Sequence, residues 1–160
     1  MIVCGIDPGI NGGIAFIKDN TLVDERMPVQ SFTISGKKRK FLDAAKIINR
    51  LKLYHPSRIY IEKQQAMPGQ GVSSTFKTGF SYGIYLGIFV ALNMSYEEVA
   101  PRKWKGDLNV PKDKDDARMR ATELLPQGSN FWNLKCEDGV AEAAMIAYWG
   151  LLNGSKLGDS

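Results

Sequence analysis

Cysteine and histidine are scarce in this chain, with two cysteines and one histidine among 160 residues. Cys4 and Cys136 alone make neither a disulfide framework nor a zinc pattern. Cys4 lies in an apolar strand pattern and reads as a small core side chain. His55 precedes Pro56 at the end of a helical pattern and reads as a surface residue. Pairs of serine or cysteine with histidine, the usual basis of nucleophilic catalysis, therefore have little to draw on. Long hydrophobic runs are missing too. The stretch from Phe80 to Leu92 is too short for a bilayer span and is broken by Gly83 and Gly87. The first residues lack the basic stretch and apolar core of a secretory leader. The expectation is a cytoplasmic protein with no membrane partner and no organic cofactor.

What is present is ordinary in amount and uneven in placement. A hydrophobic content of 44% and a charged content of 24% fit a soluble globular domain. The length suits one domain with a real core, here residues 1–153 followed by a flexible polar tail at 154–160. The net charge of +4 is modest. Its distribution says more. Lys37, Lys38, Arg39 and Lys40 form one basic block, and Arg102, Lys103 and Lys105 another. Asp7, Glu62, Asp138 and Glu142 instead sit in apolar surroundings. Basic surface around an acidic centre points to a polyanionic partner such as nucleic acid.

In chain order, Ile2 to Asp7 reads as a buried strand that breaks at Pro8-Gly9. It resumes after Gly12-Gly13 through Ile14, Phe16 and Ile17, and a third strand follows from Thr21 to Met27 after an Asp19-Asn20 turn. The stretch from Pro28 to Lys40 reads as a basic loop, flexible at Gly36. Ala44, Ile47, Ile48 and Leu51 recur with helical spacing. Arg58 to Glu62 alternates as a strand that again ends on an acid. Ser73, Ser74 and Thr75 offer caps to a helix reaching about Leu92. Within it Gly79, Gly83 and Gly87 make a bare stripe, with packing inside the chain as the default expectation. Met94 to Val99 reads as a strand, Pro101 to Trp104 as a short turn, and Lys112 to Leu125 as a charged helix. Phe131 and Trp132 read as loop anchors. Asp138 opens and caps a last, mostly apolar helix that should lie on a sheet. Such an order calls for an α/β fold, a mixed sheet between helices.

Asp138 and Glu142 are four apart and share one helical face. If the strands ending at Asp7 and Glu62 are neighbours beneath that helix, four carboxylates converge. Their mutual repulsion is relieved by a hard divalent cation, and oxygen-only ligands favour Mg²⁺ or Mn²⁺. A carboxylate cluster beside basic surface suits two-metal phosphodiester hydrolysis, one ion generating the nucleophile and the other stabilising the leaving oxygen.

Ile6-Asp7-Pro8-Gly9 with Gly13, Ile61-Glu62, and Asp138 with Ala141-Glu142-Ala143 resemble the RuvC Holliday junction resolvases. Trp104-Lys105, Asp113-Lys114 and Glu123-Leu124-Leu125-Pro126 look like the phage-encoded branch. The resemblance spans roughly residues 2–152. It implies a ribonuclease H-like fold with a mixed five-stranded sheet flanked by helices, and a homodimer; Phe76, Phe80 and the glycine stripe are the candidate interface read from the residues themselves. It also implies symmetric nicking of four-way DNA junctions with Mg²⁺ or Mn²⁺, two ions per site. Asp7, Glu62, Asp138 and Glu142 match the metal-binding acids. Lys114 matches a basic residue near the scissile phosphate, with Lys105 near a second such position. DNA contacts are expected from Lys37, Lys38, Arg39 and Lys40, and from Lys63, Gln64 and Gln65 after the strand-end acid. Three features depart from the family. The last acids are more often three apart, the family's stacking aromatic falls here on Gln65, and the Lys37–Lys40 block lies in a loop with no match in the family core.

Three other readings compete. The strand-turn-strand also resembles the opening of actin-like ATPases and sugar kinases, which need two such domains. A non-catalytic junction-binding relative is a second alternative. A ribonuclease H-like nuclease acting on RNA, flaps or forks is the third.

Overall fold

The computed structural model describes residues 1–19 and 21–154. Asn20 of the expected turn and residues 155–160 of the expected tail lie outside the described residues. Three strands open the chain, β1 (Ile2–Asp7), β2 (Gly13–Lys18) and β3 (Thr21–Arg26), and each pairs antiparallel with the next. Two further strands follow, β4 (Val29–Ile34) and β5 (Lys37–Leu42), as a separate two-stranded ribbon. Helix α1 (Ala44–Tyr54) leads to β6 (Arg58–Glu62), which pairs parallel with β1. Helix α2 (Val72–Ala91) leads to β7 (Glu97–Val99) at the sheet edge, parallel to β6. Helices α3 (Pro101–Asp107) and α4 (Lys114–Leu124), two short 3-10 turns and α5 (Asp138–Asn153) complete the chain. The main sheet has the order β3-β2-β1-β6-β7, the mixed five-stranded arrangement expected.

Strand alternation sorts the core into two layers. Cys4, Ile6, Ile14, Phe16, Ile59 and Ile61 face α1 and α2. Val3, Ala15, Ile17 and Tyr60 face α5, whose buried residues run from Gly139 to Gly150. Gly5 makes that second layer thin. A β-carbon on Gly5 would stand 2.3 Å from the Ala143 carbonyl oxygen and the Ala147 nitrogen. The last helix therefore rests directly on the backbone of β1.

Several local expectations need correction. The stretch read as a basic loop is the β4–β5 ribbon, closed by Ser35 and Gly36 with φ of 51° and 72°. Positive φ at both central residues is the type I′ turn that suits hairpin twist. Helix α2 begins after Gly71 with no side-chain cap, so the hydroxyls of residues 73–75 do not cap it. Asp138 is the first residue of α5, and the N-cap position is Glu137. The turn from Pro101 is a seven-residue helix, and the strand near Met94 is only three residues long. Trp132 is buried, its indole donating to the Thr122 hydroxyl at 2.9 Å, whereas Phe131 is exposed. The glycine stripe does not pack within the described chain. A β-carbon at Gly79, Gly83 or Gly87 would meet nothing within 4 Å. Val72, Phe76, Phe80 and Val90 are exposed on the same helix.

Candidate active site

Parallel pairing of β1 with β6 brings Ile6 opposite Ile61. One residue further, Asp7 and Glu62 end adjacent strands. Period-two alternation turns Asp7 to the side of Val3 and Gly5, and Glu62 to the side of Tyr60, so both acids face α5. The turn after β1 then meets the start of that helix. Gly12 and Gly139 form a parallel bridge. A β-carbon on Gly139 would lie 2.4 Å from Gly12 Cα and from the Asn11 carbonyl, and 2.8 Å from Asp7 Oδ2. Only glycine lets the helix come that close. Glu142 follows one turn along, and its carboxylate joins Asp7 and Glu62.

The electrostatics register that crowding. Burial, then Glu142 and Glu62, push the Asp7 carboxyl up to about 7, against the lowering effect of the Gly9 amide, which reaches Oδ1 at 3.4 Å. Glu62 is also raised, by burial and then by Glu142. Its oxygens are held by the Trp104 indole N–H at 2.9 Å and the Gln64 amide at 3.3 Å. Lys105 supplies the countercharge, its ammonium 2.7 Å from Glu142 Oε1. Burial disfavours that ammonium, but Glu142, Glu62 and Asp7 outweigh the penalty and raise its pKa.

Asp138 lies one residue before Gly139 but is engaged elsewhere. Its carboxylate pairs with Arg118 of α4 and lies 3.2 Å from the Lys114 ammonium. Arg118 also pairs with Asp115. At the other edge, Arg26 bonds Glu137 at 2.5 Å and ties the end of β3 to the residue before α5. The structure thus gathers Asp7, Glu62, Glu142 and Lys105, with Asp138 and Lys114 in a second knot beside them. Lys63 and Gln65 are exposed beyond β6, and Lys37, Lys38, Arg39 and Lys40 stand on the exposed part of β5. Arg118 and the Arg26–Glu137 pair were not singled out from the sequence, and Trp104 was not read as a site residue. A tryptophan beside Lys105 was visible as a motif, but its partner comes only from packing.

The donor set fits a hard divalent cation. It is all carboxylate, and burial, then the charges of Glu142 and Glu62, hold Asp7 at about 7, a penalty that a cation would relieve. Among the described residues no three acids, histidines or cysteines already stand at metal-holding spacing. Lys105 and Arg118 hold two of the carboxylates instead. No helix among the described residues is long and apolar enough to cross a membrane.

An antiparallel three-stranded meander continued by parallel strands, with acids at the carboxyl edge of β1 and β6, is the ribonuclease H-like fold. Within that class the chain has the fold of RuvC. It superposes on Thermus thermophilus RuvC, solved with a Holliday junction substrate, at a TM-score of 0.66 and 16% identity. That match covers 99% of this chain and 97% of the other. The yeast mitochondrial Holliday junction resolvase Ydc2 matches at 0.55 and 14% identity, over 97% of this chain and 79% of that one. In sequence, the chain is 30% identical over 94 residues to the chloroplastic Holliday junction resolvase MOC1 of Chlamydomonas reinhardtii. The match takes in 58% of this chain and only 11% of that protein's length. No family model matches the chain.

Proposed function

We propose that the chain is a divalent-metal-dependent endonuclease that resolves four-way DNA junctions by paired symmetric nicks, acting as a homodimer. The observation that carries this reading is the meeting of Asp7, Glu62 and Glu142 at the carboxyl edge of a RuvC-type sheet, with basic side chains around them. The same substrate class is named for the resolvases it is similar to. Residues 1–153 form the nuclease domain in this reading. The setting proposed with this reading is a bacterial cytoplasm, on chromosomal or phage DNA.

Asp7, Glu62 and Glu142 would hold Mg²⁺ or Mn²⁺, with Asp138 joining once it parts from Arg118. Two ions suit this number of acids. Held there, such cations would supply the charge for activating water and stabilising the leaving oxygen of an in-line displacement. The rest is work for this chain's own residues. Trp104 and Gln64 fix the Glu62 carboxylate by hydrogen bonds, so it needs no reorganisation when substrate arrives. Lys105 pairs with Glu142 at 2.7 Å and has further N–H donors for a phosphate oxygen. Lys114, exposed at the start of α4, is placed to meet a backbone phosphate near Asp138. Dimerisation through α2 would cover Phe76, Phe80 and the bare glycine stripe, and a two-fold enzyme fits a two-fold junction.

The test is a substrate panel with Mg²⁺ and with Mn²⁺: four-way junctions, flaps, Y-forks and RNA–DNA hybrids. Paired, symmetric cuts on the four-way junction are expected. Faster turnover of hybrids or flaps would replace this reading with another ribonuclease H-like nuclease.

A further inference from the structure

The β4–β5 ribbon takes no part in the acid centre. Its base is anchored, with Leu42 buried and Val29 packed on the same core. The Asp43 amide also donates to the Pro28 carbonyl at 2.9 Å. Beyond that base every residue from 31 to 40 is exposed. Cross-strand register sorts the ribbon into two faces. One carries Ser31, Thr33, Lys38 and Lys40. The other sets Phe32, Ile34 and Phe41 beside Lys37 and Arg39. The rings of Phe32 and Phe41 lie 5.9 Å apart, and Phe32 and Ile34 remain 49% and 43% exposed. No acidic residue occurs between Pro28 and Leu42.

The ribbon also has a definite place. β3 ends with Arg26 opposite Gly13, which itself pairs with Asp7. The Met27 amide donates to the Gly12 carbonyl at 3.1 Å. The ribbon therefore springs from the sheet end that carries Asp7 and Glu62. Strands of six residues reach roughly 20 Å from there.

We infer that this ribbon is a branch-point wedge: Phe32, flanked by Lys37 and Arg39, stacks on an unpaired base of branched DNA. Lys38 and Lys40, on the opposite face, grip flanking phosphates. Four consecutive cations without an acid select a polyanion. An exposed ring beside them selects a flat π surface, and sequence-tolerant stacking on aromatics is how proteins hold unstacked bases. An intact duplex hides its base faces, so the ligand is a branch point or a single strand. The inference rests on the reading that the chain acts on branched DNA.

The full chain, in EDTA so that nothing is cut, is titrated onto a four-way junction carrying 2-aminopurine at its centre and onto a linear duplex. The wild type should prefer the junction and raise 2-aminopurine fluorescence. Phe32→Ala should lose that signal and roughly tenfold to hundredfold in junction affinity, with duplex affinity unchanged. Phe32→Trp should restore both. Lys38→Gln should weaken both substrates and lower the salt slope by about 1. Circular dichroism confirms the fold of each variant, and Ile34→Ser provides a second probe of the apolar strip. A Phe32→Ala protein that binds and unstacks the junction like wild type overturns the wedge while leaving the nuclease reading intact. A wild type with no preference for the junction overturns both. A lower mass by light scattering for Phe32→Ala, or loss of binding to phosphatidylglycerol vesicles, overturns the wedge in favour of a second copy or a lipid surface.

Discussion

Replacing Asp7 with asparagine keeps the shape of the side chain and its acceptor for the Gly9 amide, and removes the charge. In the metal-free protein that change should stabilise. Asp7 titrates near 7 when folded, against an ordinary 3.8. Between those values the folded state holds a proton that the unfolded chain has lost, so stability falls as pH rises. The slope is about 1.4 kcal/mol per pH unit, which over roughly three units makes about 4 kcal/mol. The loss is absent near pH 4 and complete above pH 7. Asp7→Asn escapes it. In EDTA at pH 8 the variant should melt about 8–16 °C above wild type, while at pH 4 the two should coincide. Adding millimolar Mg²⁺ or Mn²⁺ should reverse the order. The cation stabilises wild type in proportion to the logarithm of its concentration over Kd, and the variant much less. Calorimetric melts from pH 4 to 8, with and without metal, make the measurement. Parallel pH curves for the two proteins in EDTA would refute the claim that Asp7 is half-buried and crowded by like charges.

Three further outcomes follow from the packing. Trp104→Phe removes the indole donor from Glu62 Oε2. It should cost about 1–3 kcal/mol in urea melts and move the rising limb of the activity–pH profile upward, because that bond lowers the Glu62 pKa. Gly5→Ala drives a methyl into the backbone of α5 at 2.3 Å. It should destabilise by about 3 kcal/mol or more and lower metal affinity, since the helix carrying Glu142 must back away. Gly83→Leu meets open space in the single chain and should leave the stability of that chain unchanged or raised by about 1 kcal/mol. It should convert the proposed dimer to a monomer by light scattering at micromolar concentration, and an unchanged dimer mass would move the interface elsewhere.

The parts of this structure that the sequence announces are those with strong periodicity. The apolar alternation of β1 and β6, the Ala44–Leu51 stripe and the apolar length of α5 bury one face or two, so their patterns repeat. The Pro28–Lys40 stretch escaped because the alternation of Phe32 and Ile34 against Ser31 and Thr33 is short, and its partner strand is a run of four cations that reads as solvated loop. Its Ser35-Gly36 turn is also less recognisable than Asn-Gly. The glycine stripe of α2 shows which residues share a face but not which way that face looks. Arg118, three residues after Asp115, looks like solvated helix surface until α4 packs beside α5. The acids themselves were visible as charges in apolar surroundings. Their pairing with Lys105, Trp104 and Arg118 belongs to tertiary structure and could not be seen in one dimension.

Single-turnover cleavage of a labelled four-way junction, wild type against Asp7→Asn with Mg²⁺ in excess, tests the central claim most directly. The prediction is paired, symmetric nicking by wild type and no cutting by the variant, with junction affinity of the two within a few-fold in EDTA. Normal cutting by Asp7→Asn, or cutting by wild type that survives chelation, would contradict it.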